Sequence, residues 1–239
     1  MASNFGFLAK LEFLQVVVSR IIAGVNPAVI HNIEKYLALK KVHYLTAVEH
    51  LEGDYLEFGV FTGSSFTHSI RCTRKLESIY PEISKSRFLG FDSFQGFGDI
   101  ESDDEHPFYT DENFGTSFVS VQKRVNKVSG EYFCKLVKGF FNDSLLPGPD
   151  HYDIRKIRIA FIDSDTYASS KDALSFISSA VQEGTYVVLD DFYSYRGSRK
   201  RGVARAFDEF LVESNVSVRK VFSYGMGGAV FVIDSVAPA

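Results

Sequence analysis

Two acidic clusters stand where apolar runs end. The run RIAFI closes on Asp163-Ser164-Asp165, and TYVVL closes on Asp190-Asp191, with one helix-like stretch between them. If the two runs are adjacent strands of a parallel sheet, their carboxyl ends meet. Three or four carboxylates then converge at one edge and repel one another unless a cation stands between them. Asp also ends strands simply because it suits turns and helix caps. Two such clusters, each at a strand end and one helix apart, favour a metal site over that simpler account.

A second group of residues lies upstream. Glu57-Phe58-Gly59-Val60-Phe61-Thr62-Gly63-Ser64 reads as a strand-to-helix turn, in which Gly59 and Gly63 let the backbone come close to a ligand. The Glu57 carboxylate ahead of the turn is unfavourable for a pyrophosphate and suits a cationic group. In Gly90-Phe91-Asp92-Ser93-Phe94, Asp92 closes a second strand and is placed to accept hydrogen bonds from two ribose hydroxyls. In this order the two signals favour a nucleoside ligand held without a phosphate-binding loop.

These residues need a sheet to position them. From residue 54 onward the apolar period alternates, predicting strands at 54–60, 87–92, 132–139, 158–163 and 185–190 and helices near 64–76, 117–127, 168–182 and 203–213. The last two runs, 216–224 and 227–234, are separated only by Gly225-Met226-Gly227. That turn is too short for a crossover, so they form an antiparallel pair. The pattern predicts an α/β fold with a doubly wound, mainly parallel sheet. Its ligands bind outside the carboxyl ends of the strands, near the switch in strand order.

Upstream of the sheet, Asn26-Pro27 breaks the chain, and residues 30–51 then carry apolar side chains at helical spacing. The stretch 13–25 is apolar, but Arg20 interrupts it and it is too short to span a bilayer. Segments 5–14 and 16–25 exceed what a core of this size needs, and are expected to bury against a second subunit in a homo-oligomer, a dimer, or to roof the site. The simplest division is a helical appendage over 1–52 and a catalytic domain over 53–239. A chain of 239 residues with 45% hydrophobic residues suffices for one substantial α/β domain. A net charge of −4 with scattered Lys and Arg suggests neither a nucleic-acid nor a membrane partner. Cys72 and Cys134, the only cysteines, argue against a disulfide scaffold and fit a reducing, cytoplasmic compartment.

The motifs EFGVFTG, GFDSFQGF, GFFNDSL, IDSDTYASSKDAL and VVLDDF together resemble the macrocin-type (TylF-like) O-methyltransferases, over about residues 54–210. The resemblance implies a class I methyltransferase (Rossmann-like) fold with a seven-stranded sheet and extra N-terminal helices. It implies S-adenosylmethionine as methyl donor, held near Glu57, Gly59, Val60, Phe61, Thr62, Gly63, Ser64, Asp92, Ser93, Gly139 and Phe140. It also implies a divalent cation, Mg2+, on Asp163, Asp190 and Asp191, and a small-molecule hydroxyl acceptor such as a sugar of natural product biosynthesis. The chemistry agrees. Methyl transfer is an in-line displacement on a sulfonium, and a cation on the acceptor oxygen lowers its pKa. Oxygen ligands suit magnesium, and no His or Cys joins the cluster to suit zinc. Open positions on such a cation favour a vicinal diol, on a sugar or a catechol.

Two residues compete to take the proton: Asp165, fixed by the strand end, and His106, in the loop after the second strand. Asp165 is preferred. His31, His43, His50, His68 and His151 lack an acidic context and read as structural or exposed. Phe94, Phe97, Phe108, Tyr109 and Phe114 fall in a loop able to fold over a pocket, and the basic run at 196–201 either meets an anionic substrate group or is a solvated helix entry. The rival reading is a metal-dependent glycosyltransferase, with Asp163-Ser164-Asp165 as an Asp-x-Asp motif. It accounts poorly for the Glu57 turn and for Asp190-Asp191. A catalytically silent binding protein would make every acidic cluster incidental.

Overall fold

The computed structural model describes residues 11–98, 100, 102–109 and 114–236. Helices α1 (Glu12–Gly24) and α2 (Pro27–Val48) meet at a bend of 94°. The bend has a local cause. Asn26 caps α2 by accepting from the Ala28 N–H at 2.9 Å, and Pro27 occupies the first turn, where no N–H is needed. Among the described residues no single helix is long and apolar enough to cross a membrane. None of the residues of α1 is buried, whereas α2 buries Ala38, Leu39 and Val42 in one cluster with Tyr55, Ile159 and Phe161. The core therefore takes in α2. Of the apolar segment expected over 5–14, residues 5–10 lie outside the described residues.

Strands β1 (Asp54–Phe58), β2 (Phe88–Asp92), β3 (Cys134–Lys138), β4 (Ile157–Ile162) and β5 (Tyr186–Leu189) are parallel. The hairpin β6 (Val216–Tyr224) and β7 (Gly228–Val236) joins through β7, antiparallel to β5. The seven-stranded order is β3-β2-β1-β4-β5-β7-β6. Connecting helices are α3 (Ser64–Leu76), α4 (Phe118–Ser129), α5 (Phe141–Ser144), α6 (Tyr167–Ile177), α7 (Ser194–Gly197) and α8 (Gly202–Glu213). One face of the sheet packs on α6 and α8, the other on α2, α3 and α4. With both faces covered, β1 and β4 are buried along their whole length, so they read as runs rather than as alternation. The strand order switches between β1 and β4, where the crevice of such a sheet opens.

That switch is held very tightly. The Asp163 N–H donates to the Phe58 carbonyl at 2.8 Å, and the Gly59 N–H to the Phe91 carbonyl at 2.9 Å. A Cβ on Gly59 would stand 1.8 Å from the Asp163 carbonyl oxygen, and one on Gly63 would stand 2.9 Å from Val121. Both glycines also have positive φ. Contact with neighbouring protein alone is enough to require glycine at both positions.

Glu57 lies within β1 and is fully buried. Its carboxyl accepts from Ser65 Oγ at 2.7 Å and from the Tyr55 hydroxyl. Burial pushes its pKa up to about 8, although those hydrogen bonds oppose the rise. The folded protein thus binds this proton more tightly than the unfolded chain does, so stability falls as pH rises from about 4.5 to about 8. Glu57→Gln keeps the hydrogen bonding without the titration. We expect it to melt close to wild type at pH 4.5 and higher than wild type at pH 8.5, by roughly 5 °C or more. Parallel melting curves across that range would remove Glu57 as the source.

Candidate active site

The sheet delivers the acidic clusters to one place. Ile162 pairs with Leu189, so the next residues, Asp163 and Asp190, stand side by side, and the Asp190 N–H donates to the Ile162 carbonyl at 3.0 Å. Beyond them, Asp165 adopts a left-handed backbone with φ 62°, which a short acidic residue tolerates. Asp163, Asp165 and Asp191 each bring a carboxylate oxygen within 4.8 Å of the others. Burial, reinforced by neighbouring aspartates, pushes the pKa values of Asp163 and Asp165 well above the carboxylate range.

Asp190 has a different environment. Its Oδ2 lies 2.6 Å from Lys35 Nζ and 3.0 Å from His31 Nε2, and its Oδ1 accepts from the Tyr224 hydroxyl at 2.7 Å. Burial would raise its pKa, but Lys35 and His31 outweigh burial and hold it well below the usual range. The Lys35 ammonium also donates to Asp163 Oδ2 at 2.9 Å. Burial works against the charged lysine, yet the two aspartates prevail and raise its pKa. The Met226 N–H donates to His31 Nδ1 at 3.1 Å, so a neutral ring carries its proton on Nε2 and gives it to Asp190. The carboxylates that approach one another most closely are Asp163, Asp165 and Asp191, whereas Asp190, expected as a ligand with Asp163 and Asp191, meets three side-chain donors. Lys35 was not anticipated, and His31, expected to lack an acidic context, lies against Asp190. Their only trace in the sequence is spacing, since Ala28, His31, Asn32 and Lys35 share one face of α2.

A cavity of about 790 Å³ opens over these groups. Of the residues expected at a nucleoside cofactor, Gly59, Phe61, Asp92, Ser93 and Phe140 line it. Glu57 is buried within β1 and does not line the cavity, Val60 is core, Thr62, Gly63 and Ser64 form the turn into α3, and Gly139 precedes α5. Asp92 accepts from the backbone N–H of Phe61 at 2.7 Å and of Phe94 at 2.5 Å. Both partners have positive φ, 48° and 56°, so this carboxylate holds two unfavourable backbone turns in place. Burial raises the Asp92 pKa against those hydrogen bonds.

The loop after β2 folds over the acidic end. A bridge from Gln95 to Gly115 closes its base. Asp104 pins it by accepting from Tyr167 and Ala168 N–H, at 2.7 and 3.0 Å, at the start of α6. The Tyr109 hydroxyl donates to Asp191 Oδ1 at 3.0 Å and bonds Ser194 Oγ at 2.7 Å. His106 stacks behind Tyr109, with ring centroids 4.2 Å apart, and does not line the cavity. Its Nδ1 accepts from the Phe108 N–H, and burial lowers its pKa against the pull of Asp191. Phe97, Phe108, Tyr109 and Phe114 do line the cavity, whereas Phe94 packs into the core against Phe118. The basic run faces elsewhere: Arg199 pairs with Asp208 at 3.1 Å.

The family model of macrocin-O-methyltransferase (TylF) matches residues 33–219. No curated protein sequence matches the chain. Among solved structures, the O-methyltransferase NovP superposes with a TM-score of 0.66 at 18% identity, over 84% of this chain and 79% of its own. The calicheamicin methyltransferase CalS11 gives 0.66 at 20% identity, over 82% and 77%. TomG from Streptomyces achromogenes, solved with S-adenosylmethionine, gives 0.52 at 18% identity, over 83% and 80%. These likenesses show the class I methyltransferase fold. The family match, spanning the acidic clusters and the Asp92 strand, shows that the chain belongs to the macrocin O-methyltransferase (TylF) family and is an S-adenosylmethionine-dependent O-methyltransferase.

Proposed function

We propose that the chain methylates one hydroxyl of a vicinal diol on a small natural-product acceptor, above all a sugar, with a divalent cation, magnesium, beside the reacting oxygen. The approach of Asp163, Asp165 and Asp191 to within 4.8 Å carries the reading. Partly buried carboxylates so close together repel one another, a cation between them relieves that repulsion, and an all-oxygen donor set suits magnesium. CalS11 is described as a TDP-rhamnose 3'-O-methyltransferase, which supports a sugar as acceptor. When bound, the cation lowers the pKa of the acceptor hydroxyl and orients it.

The chain's own groups divide the work. Asp92 holds the cofactor ribose, with Phe61 and Phe140 beside it on the cavity wall. Asp163 and Asp191 hold the cation. Asp165 takes the acceptor proton, because burial and Asp191 make its carboxylate the stronger base. His106 stands outside the cavity and is the weaker candidate. The acceptor C–O bond forms as the sulfonium C–S bond breaks, and the thioether leaves uncharged. Helix α2 roofs the acceptor side through Ala28, His31, Asn32 and Lys35. Helix α1, with Phe13 77% and Ile21 63% exposed, packs against a second copy in a dimer. Two free cysteines support a cytoplasmic location.

Asp92→Ala should weaken S-adenosylmethionine binding by tens-fold or more in calorimetry, a loss of roughly 2–3 kcal/mol. Unchanged affinity would take Asp92 out of the cofactor site. Exhaustive chelation should abolish turnover and spare most of the cofactor affinity, and Asp191→Asn should behave likewise. Full activity after chelation would end the metal reading. Asp165→Asn should lower kcat by about a hundredfold or more with cofactor binding nearly unchanged. Near-normal turnover there, with activity lost in His106→Ala, moves the base to the histidine. Sedimentation should find a dimer that Phe13→Glu with Ile21→Glu converts to monomer, and a monomeric wild-type protein would contradict the assembly.

A further inference from the structure

The charges that line the cavity are nearly all of one sign. Asp92, Asp163, Asp165, Asp190 and Asp191 stand on its wall, and among the described residues Lys35 is the sole lysine or arginine that does. Its Nζ lies 2.9 Å from Asp163 Oδ2 and 2.6 Å from Asp190 Oδ2, so it is engaged with the cluster. A divalent ion and the cofactor sulfonium bring positive charge that these carboxylates offset. The loop above has the same sign. Residues 99–114 include seven Asp and Glu and no Lys or Arg, and the loop sends Phe108, Tyr109 and Phe114 to the cavity wall.

A phosphate group meets few donors here. The N-terminus of α6, which follows β4 at the acidic end, is already filled from within the protein. Asp104 accepts from the Tyr167 and Ala168 N–H at 2.7 and 3.0 Å, and Thr166 Oγ1 accepts from the Ser169 N–H at 3.4 Å. The basic run after Asp190-Asp191 does not line the cavity, and Lys220 donates to the Tyr193 hydroxyl without lining it either. Apolar surface, by contrast, is plentiful. Phe61, Phe108, Tyr193 and Met226 are each at least 39% exposed, and all four line the cavity. Large apolar side chains left open to water around a concave site are the ones a bound molecule covers. Aromatic faces also attract positive charge.

Building on the diol reading above, we propose that the acceptor is free of phosphate. It is an uncharged or cationic molecule whose diol meets the acidic end while an apolar or aromatic body lies against Phe108 and Tyr193. CalS11 is described as acting on TDP-rhamnose. The diphosphate of such an acceptor would here be set among like charges, which costs affinity and selects against it.

The test is calorimetry on the protein loaded with S-adenosylhomocysteine and Mg2+, using two probes that share one sugar, 4-nitrophenyl α-L-rhamnoside and TDP-rhamnose. The rhamnoside should bind about tenfold more tightly or better. Added salt should strengthen TDP-rhamnose binding and leave the rhamnoside unmoved, because screening weakens repulsion. Phe108→Ala should weaken the rhamnoside several-fold with S-adenosylhomocysteine affinity kept, and Phe108→Arg should narrow the gap between the two sugars. Three catechols repeat the ordering on another diol: dopamine and 4-methylcatechol should each bind more tightly than 3,4-dihydroxyphenylacetate. Equal or tighter binding of TDP-rhamnose, or of the anionic catechol, overturns the proposal and leaves the diol reading standing. Failure of every probe at millimolar concentration, with S-adenosylhomocysteine bound, overturns it too, since the apolar wall would then hold nothing. Tight rhamnoside binding that ignores Mg2+ ends the metal reading and leaves this proposal intact.

Discussion

Buried like charge organises this molecule. The pairing of β4 with β5 forces Asp163 and Asp190 into contact, and Asp165 and Asp191 follow within two residues. Removing that many carboxylates from water is costly unless positive charge or donors meet each of them. Much of what packs around the site answers that cost. Lys35 and His31 come from α2, Tyr224 from the end of β6, and Tyr109 from the loop after β2. Helix α2 and the aromatic loop are therefore docked by the same charges that line the candidate site.

Asp190 and Asp191 show how finely this is resolved. Adjacent residues at a strand end point to opposite sides. Asp190 faces α2 and the C-terminal hairpin, where an ammonium, an imidazole and a phenol are waiting. Asp191 faces the other way, toward Tyr109 and the Asp165 carboxylate. One peptide bond separates a carboxylate met by an ammonium, an imidazole and a phenol from one met by the Tyr109 hydroxyl and the Asp165 carboxyl. The same distinction separates Glu57 from Asp92. Glu57 lies within β1, bonded to Tyr55 and Ser65 and cut off from the cavity. Asp92 ends β2, where its carboxylate holds two strained backbone turns at the cavity wall.

The sequence by itself determined the architecture and the address of the site. Strand and helix alternation, the short Gly225-Met226-Gly227 turn and the acidic strand ends are local patterns, and local patterns specify elements, their order and the sheet edge where ligands collect. That was enough to place Asp92, Asp163, Asp165, Asp190 and Asp191 at one edge. Only the tertiary structure decided which carboxylates face one another, and that Gly59 serves the contact with Asp163 and His106 stands behind Tyr109. It also brought Lys35 and His31 to Asp190 across 155 and 159 positions of sequence. Lys35, one of three lysines on α2, leaves no local signal of its partner, because the pairing depends on how α2 docks on the finished sheet and not on the residues beside it.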